Sequence, residues 1–96
     1  MTTLRIEHRI TDFDSWKAAF DRDPIGRDRL GVRRHRVFRP VDDPNYVLID
    51  LDFDNAGAAE ACLAALHRDV WGTAAGPALV GAPATRIIDT MESKEY

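Results

Sequence analysis

The chain has one cysteine, Cys62. It therefore cannot close an internal disulfide, and a reducing compartment is the natural setting. Serine is almost as scarce. Ser15 and Ser93 are the only two, and neither lies in a nucleophile-elbow motif, which argues against a hydrolase triad. The six glycines are scattered, and none builds a phosphate-binding loop between a strand and a helix. Long apolar runs are missing too. Arg5, Glu7 and Arg9 interrupt the first apolar residues, so neither a signal peptide nor a membrane span is expected, and the cytoplasm is the expected location. There is no excess of positive charge: 13 basic against 16 acidic residues leave a net charge of −3, so no general attraction to nucleic acid is expected. The three histidines, His8, His35 and His67, stand far apart, with no pair at metal-ligand spacing. No metal and no cofactor is expected.

What is present is ordinary globular material, 45% hydrophobic and 30% charged over 96 residues, which suits one domain spanning residues 1–96. A chain of this size buries only about 60–65% of its unfolded surface, and pairing with a second copy would add to that. Leu4, Ile6, His8 and Ile10 alternate with Arg5, Glu7 and Arg9, the period of a strand. The period then becomes helical at Phe13, Trp16, Lys17 and Phe20. Thr11 or Asp12 is placed to cap that helix, and Pro24 and Gly26 mark its end. Val32 to Arg39 and Tyr46 to Phe53 read as strands joined by a turn-rich loop, Pro40 to Asn45. Asp54 or Asn55 can cap a second helix that runs to about Val70, with Ala59, Cys62, Leu63, Leu66 and Val70 as its apolar stripe. Trp71 to Pro83 is an irregular Gly/Ala/Pro-rich connection, Ala84 to Asp89 the last strand, and the tail from Thr90 frays.

The order β-α-β-β-α-β is that of a ferredoxin-like α+β sandwich, a four-stranded antiparallel sheet. Right-handed crossovers place both helices on one face. The opposite face would then be a bare apolar surface, which a second copy would cover most simply.

The hairpin is strongly patterned in charge. Arg27, Arg29, Arg33, Arg34, Arg36 and Arg39 precede a segment holding Asp42, Asp43, Asp50, Asp52 and Asp54. Cross-strand Arg–Asp pairing accounts for this without any ligand. One register sets His35 opposite Asp50 and Arg33 opposite Asp52. A slip by one sets Arg34 opposite Asp50 and moves His35 to the apolar side.

His8, in phase with Ile6 and Ile10, is either a hydrogen-bonded structural residue or a proton-transfer group. His35 is either an ion-pair member or, oriented by Asp50, a base. His67 reads as a surface residue. Trp16 and Phe20 share the core face of the first helix. Trp71 is either a loop anchor or an apolar pocket wall. Tyr46, beside the charged loop, offers a phenol to a ligand or sits on a rim. Arg33 or Arg36 would steady developing negative charge.

One stretch, His8-Arg9-Ile10-Thr11-Asp12-Phe13-Asp14-Ser15-Trp16-Lys17, followed by Phe20-Asp21, resembles the dimeric α+β barrel superfamily. Gly31-Val32, Asp42-Asp43-Pro44-Asn45 and Gly81-Ala82-Pro83 extend the resemblance over nearly the whole chain. It is nearest to the antibiotic-biosynthesis monooxygenase-like and polyketide-cyclase-like members. The resemblance implies a homodimer in which two sheets pair into a closed barrel, and a small apolar or aromatic ligand held between sheet and helices or in the barrel cleft. It also implies cofactor-independent oxygenation, cyclisation or isomerisation, with His8 as a pocket group and Trp16 as a pocket wall. The Asn–Trp–His set of haem-degrading members does not map onto this chain. On this reading the catalytic candidates are His8 and His35, and the substrate-binding candidates Trp16, Arg33, Arg36, Tyr46, Asp50 and Trp71. The alternatives are a non-catalytic ligand-binding or regulatory homodimer, and a structural or interaction module.

Overall fold

The computed structural model describes residues 1–71 and 79–96. The elements follow in the order β1 (Thr2–Ile10), α1 (Phe13–Asp21), β2 (Arg34–Phe38), β3 (Tyr46–Phe53), α2 (Ala56–Leu66), a π-helical turn (His67–Trp71) and β4 (Leu79–Asp89). The four strands form one antiparallel sheet in the order β2-β3-β1-β4, the ferredoxin-like arrangement.

Local chemistry accounts for the element ends. Asp12, in extended conformation, caps α1 by accepting a hydrogen bond from the Ser15 amide at 2.8 Å. Asn55 caps α2 in the same way through the Ala58 amide at 2.9 Å. Both caps satisfy amides that the first turn of a helix leaves without a partner.

Alternation along β1 then builds the core. Leu4, Ile6 and Ile10 pack with Val47, Ile49, Leu51 and Phe53 of β3 against Trp16 of α1 and Ala59, Cys62 and Leu66 of α2. Both helices therefore cover the same face. The small residues of α2 let its backbone lie close to the sheet, which buries Ala59 and Cys62 completely.

Three expectations need correction. The first is the barrel. The sheet is open, with β2 and β4 as its two edges. The face that was to close against a second sheet is instead covered by charged side chains of the same chain.

The second is the bare apolar face. Opposite the helices lies an ionic layer. Asp50 receives two hydrogen bonds from Arg5, both 2.8 Å, and one from Arg36 at 3.4 Å. Asp52 receives hydrogen bonds from the Thr3 hydroxyl at 2.6 Å and the Arg34 guanidinium at 2.9 Å. Both carboxylates are 1–2% exposed under these side chains. The face is thus satisfied within one chain.

The third is the register. Arg34 stands opposite Asp52, His35 opposite Leu51 and Arg36 opposite Asp50. His35 therefore joins the apolar side, as in the slipped alternative. The pairing itself matches neither alternative.

β4 begins at Leu79 instead of Ala84, and the helical stretch ends in a π turn that holds Trp71. Much of the expected Gly/Ala/Pro connection falls on residues 72–78, outside the described residues. Among the described residues, no helix is long and apolar enough to cross a membrane.

Candidate functional site: a cavity between sheet and helices

A cavity of about 220 Å³ lies between the helix-covered face of the sheet, α1, the connection after it and the π turn. Its floor is Ile6 and His8 of β1 with Ile49 and Leu51 of β3. Trp16, Ala19 and Phe20 of α1 form one wall, and Leu66, Val70 and Trp71 form another. Arg22, Pro24, Ile25 and Arg27 close the side toward β2. An apolar chamber with few polar groups is the usual form of a small-molecule site.

The floor strand is irregular where His8 sits. Glu7 pairs with Ala84 of β4, but Arg9 pairs with Val80. His8 thus faces a three-residue bulge, Gly81-Ala82-Pro83, and Gly81 adopts a φ of +80°, a left-handed conformation that glycine accepts without strain. Bulges of this kind re-aim side chains and end pairing. Pro83, which has no amide hydrogen, is tolerated because β4 is an edge strand.

His8 is 4% exposed. Its Nδ1 lies 3.1 Å from the Arg9 carbonyl oxygen. A carbonyl only accepts, so Nδ1 carries the proton and Nε2 keeps its lone pair. No polar side-chain atom among the described residues is both enclosed and unpartnered, so Nε2 opens on accessible space. Burial pulls the imidazole below its ordinary value of 6.5, and the bond to Arg9 offsets this only in part. At neutral pH His8 is therefore a neutral base, and it lines the cavity.

The aromatic wall is a continuous stack. Trp16 and Phe20 are stacked at 5.0 Å between ring centroids with an interplanar angle of 26°. His8 lies 6.1 Å from Trp16 on one side of this pair. The Arg27 guanidinium lies over Phe20 at 3.8 Å on the other.

Of the sequence candidates, the cavity brings together His8, Trp16 and Trp71. The others lie elsewhere. His35 is exposed on edge strand β2, its ring edge-on to Phe20 at 5.2 Å. Asp50 is on the opposite face of the sheet, so the expected His35–Asp50 pair does not form. Arg36 is paired with Asp50, and Arg33 with Asp54 at 2.7 Å in an exposed bridge. Tyr46 donates to Glu7 at 2.8 Å on the open face.

Sequence reasoning missed Arg22 and Arg27. They follow the regular part of α1, where no periodicity marks an orientation. The available signal was Asp23-Pro24-Ile25-Gly26. Asp23 has a φ of +50°, and its carboxylate accepts from the Arg27 amide at 2.9 and 3.1 Å, which folds Arg27 back over the helix.

Cys62 is fully buried, and desolvation pushes its thiol up to about 11. It is an inert packing residue and not a nucleophile. Among the described residues, no three His, Cys, Asp or Glu side chains are grouped to hold a metal.

The class defined by fold and site is an open ferredoxin-like sheet carrying an apolar, ligand-sized cavity beneath its helices. Solved structures share this fold. One is a variant of SnoaB, a cofactor-independent oxygenase from Streptomyces nogalater. It is 16% identical, with a TM-score of 0.75 over 96% of this chain and 94% of that one. Another is Rv0793 from Mycobacterium tuberculosis, at 10% identity and a TM-score of 0.72 over 98% of each chain. A third is a dimeric ferredoxin-like protein from an uncultured marine organism, at 15% identity and a TM-score of 0.63 over 97% and 96%. At these identities the likeness is one of fold. No family model matches the chain, and no curated protein sequence does.

Proposed function

We propose that this protein is a small-molecule enzyme that acts by general base catalysis on an aromatic or polyketide-like compound, without a cofactor. His8 would take a proton from an acidic C–H or O–H of the bound ligand, and Trp16 and Trp71 would hold its rings. The resulting anion would either cyclise or isomerise, or give electrons to dioxygen as co-substrate and oxidant in an oxygenation. A homodimer in the cytoplasm is part of this proposal. The dimeric description of one structural relative supports the first, and the lone buried cysteine supports the second.

The observation that carries the reading is the placement of a neutral, tautomer-fixed imidazole on the floor of an apolar chamber. A positioned base of this kind contributes about 10²–10⁴-fold. The cavity counts against a structural module, whose interior would be collapsed. The imidazole facing it counts against a purely binding role. Likeness in fold to a cofactor-independent oxygenase is consistent with the chemistry.

The test is turnover of a panel of hydroxylated aromatic and polyketide-like compounds by the wild-type protein and a His8→Ala variant. The reading expects product from the wild type and a loss of at least about 100-fold in the variant, with its circular dichroism unchanged. Equal turnover removes His8 from the role. Ligands bound and recovered unchanged by the wild type would instead show a binding protein.

A further inference from the structure

The ionised groups that line the cavity are all of one sign. Among the described residues, Arg22 and Arg27 line its wall and no acidic residue does. The two differ in how far they are engaged. Arg22 is exposed at the C-cap of α1, and among the described residues its side chain has no ion pair or hydrogen bond. Arg27 is held more firmly. One terminal nitrogen donates to the Phe20 carbonyl at 2.9 Å, and the plane rests on the Phe20 ring. Its side chain is only 15% exposed.

The nearest acid offsets only one of these two cations, because it pairs with Arg27 and leaves Arg22 without an ion pair among the described residues. Asp23 is 3.6 Å from Arg27, and its carboxylate oxygens already accept the Arg27 amide. Among the described residues, Nε and the second terminal nitrogen of Arg27 have no acceptor. A guanidinium presents its N–H groups as a planar fork that matches a carboxylate or a comparable oxyanion. Partial burial against Phe20 weakens solvent screening there. The result is an apolar slot with a proton acceptor beyond one end of the Trp16–Phe20 stack and an open guanidinium fork beyond the other.

We propose that Arg27, assisted by Arg22, makes the cavity selective for anions. Its ligand is then a planar compound of one or two rings that carries a carboxylate or a similarly acidic enol or phenol. This rests on the small-molecule reading above and names its substrate class. It also assigns Arg27 the role of holding the ligand so that its opposite end meets His8.

The tryptophans allow a test that needs no turnover. The chain has two, Trp16 and Trp71, and both line the cavity, so quenching of intrinsic fluorescence reports its occupancy. The probes are 2-naphthoate and its neutral isostere 2-naphthamide. The wild type is expected to bind the carboxylate at least about tenfold more tightly than the amide. Arg27→Met should bring the ratio to within about twofold, Arg27→Lys should restore part of it, and Arg22→Gln should lower it moderately. Arg22→Gln lies at an exposed position and keeps the inference testable if Arg27→Met does not fold.

Equal binding of both probes by the wild type overturns anion selectivity and leaves the cavity reading intact. Undiminished preference in the Arg27→Met/Arg22→Gln double variant overturns the assignment to these residues. Failure of both probes to quench overturns both readings.

Discussion

The imidazole of His8 and the indole of Trp16 face each other at 6.1 Å between ring centroids, tilted by 59°. One comes from an inward position on β1 and the other from the buried face of α1. The contact ties the base to the wall of its chamber. Its first consequence is for stability against pH. The folded imidazole titrates below its ordinary value because of burial, so below about pH 6.5 the unfolded chain binds more protons than the folded one. Stability contributed by neutral His8 is present above that pH and is lost as pH falls toward the lower folded value. Urea denaturation at pH 7.5, 6.5 and 5.5 should show a falling midpoint for the wild type and a flatter trend for His8→Gln.

The ionic layer on the open face is asymmetric. Asp52 is 2% exposed, while the side chain of Arg34 is 62% exposed. Burial alone would raise the Asp52 carboxyl. The hydrogen bonds from Thr3 and Arg34, with the charges of Arg34 and Arg36, outweigh this and hold it below the usual range. Asp52→Asn should cost about 1–2 kcal/mol, because the partner is solvent-screened and Thr3 retains an acceptor. Arg34→Gln should cost less than about 1 kcal/mol. Chemical denaturation of both variants checks the order, and an equal cost would show that the layer does not depend on the buried member.

Ala19 lines the cavity from α1. Ala19→Leu keeps a strong helix former and fills part of the chamber. Stability should change by less than about 1 kcal/mol, while affinity for a two-ring aromatic ligand should fall by more than about tenfold. Tryptophan quenching and thermal melting measure the two effects separately.

Loss of the α2 cap is a control on the fold itself. Asn55→Ala removes the acceptor for the Ala58 amide and should cost about 1 kcal/mol. Leu66 and Trp71 should then still form a wall that binds ligand. Loss of binding at unchanged helix content would show that the cap also positions the cavity.

Much of this fold could be read from the sequence where one face of an element is apolar and the other polar. β1 announced itself because Leu4, Ile6, His8 and Ile10 point into the core while Arg5 and Arg9 do not. Asp12 and Asn55 were each legible as one of two cap candidates, beside Thr11 and Asp54, because capping needs a short side-chain acceptor at a helix start. The β2–β3 register was not legible. Arginines and aspartates lie on both sides of several alternative pairings, and Pro40 to Asn45 is too long a loop to set one. The open face was misjudged for a related reason. Asp50 and Asp52 are as buried as core leucines, yet they are sequestered under arginines instead of under apolar groups. β4 was shortened in expectation because Gly81 and Pro83 read as breakers, whereas they form the bulge opposite His8. At the site, His8, Trp16 and Trp71 were within reach of pattern reading. Arg22 and Arg27 were not, because the Asp23 turn that aims Arg27 has no period.

The central claim is that His8 removes a proton from a ligand held in the cavity. It is tested most directly by hydrogen–deuterium exchange at the acidic carbon of 2-tetralone, a neutral two-ring ketone, followed by NMR in D2O near neutral pH. Tryptophan quenching establishes binding in parallel. The account predicts that the wild type accelerates exchange at least about 100-fold over buffer and that His8→Gln, while still binding, loses that acceleration. Equal acceleration by the variant, or bound ketone that the wild type leaves unexchanged, would contradict it.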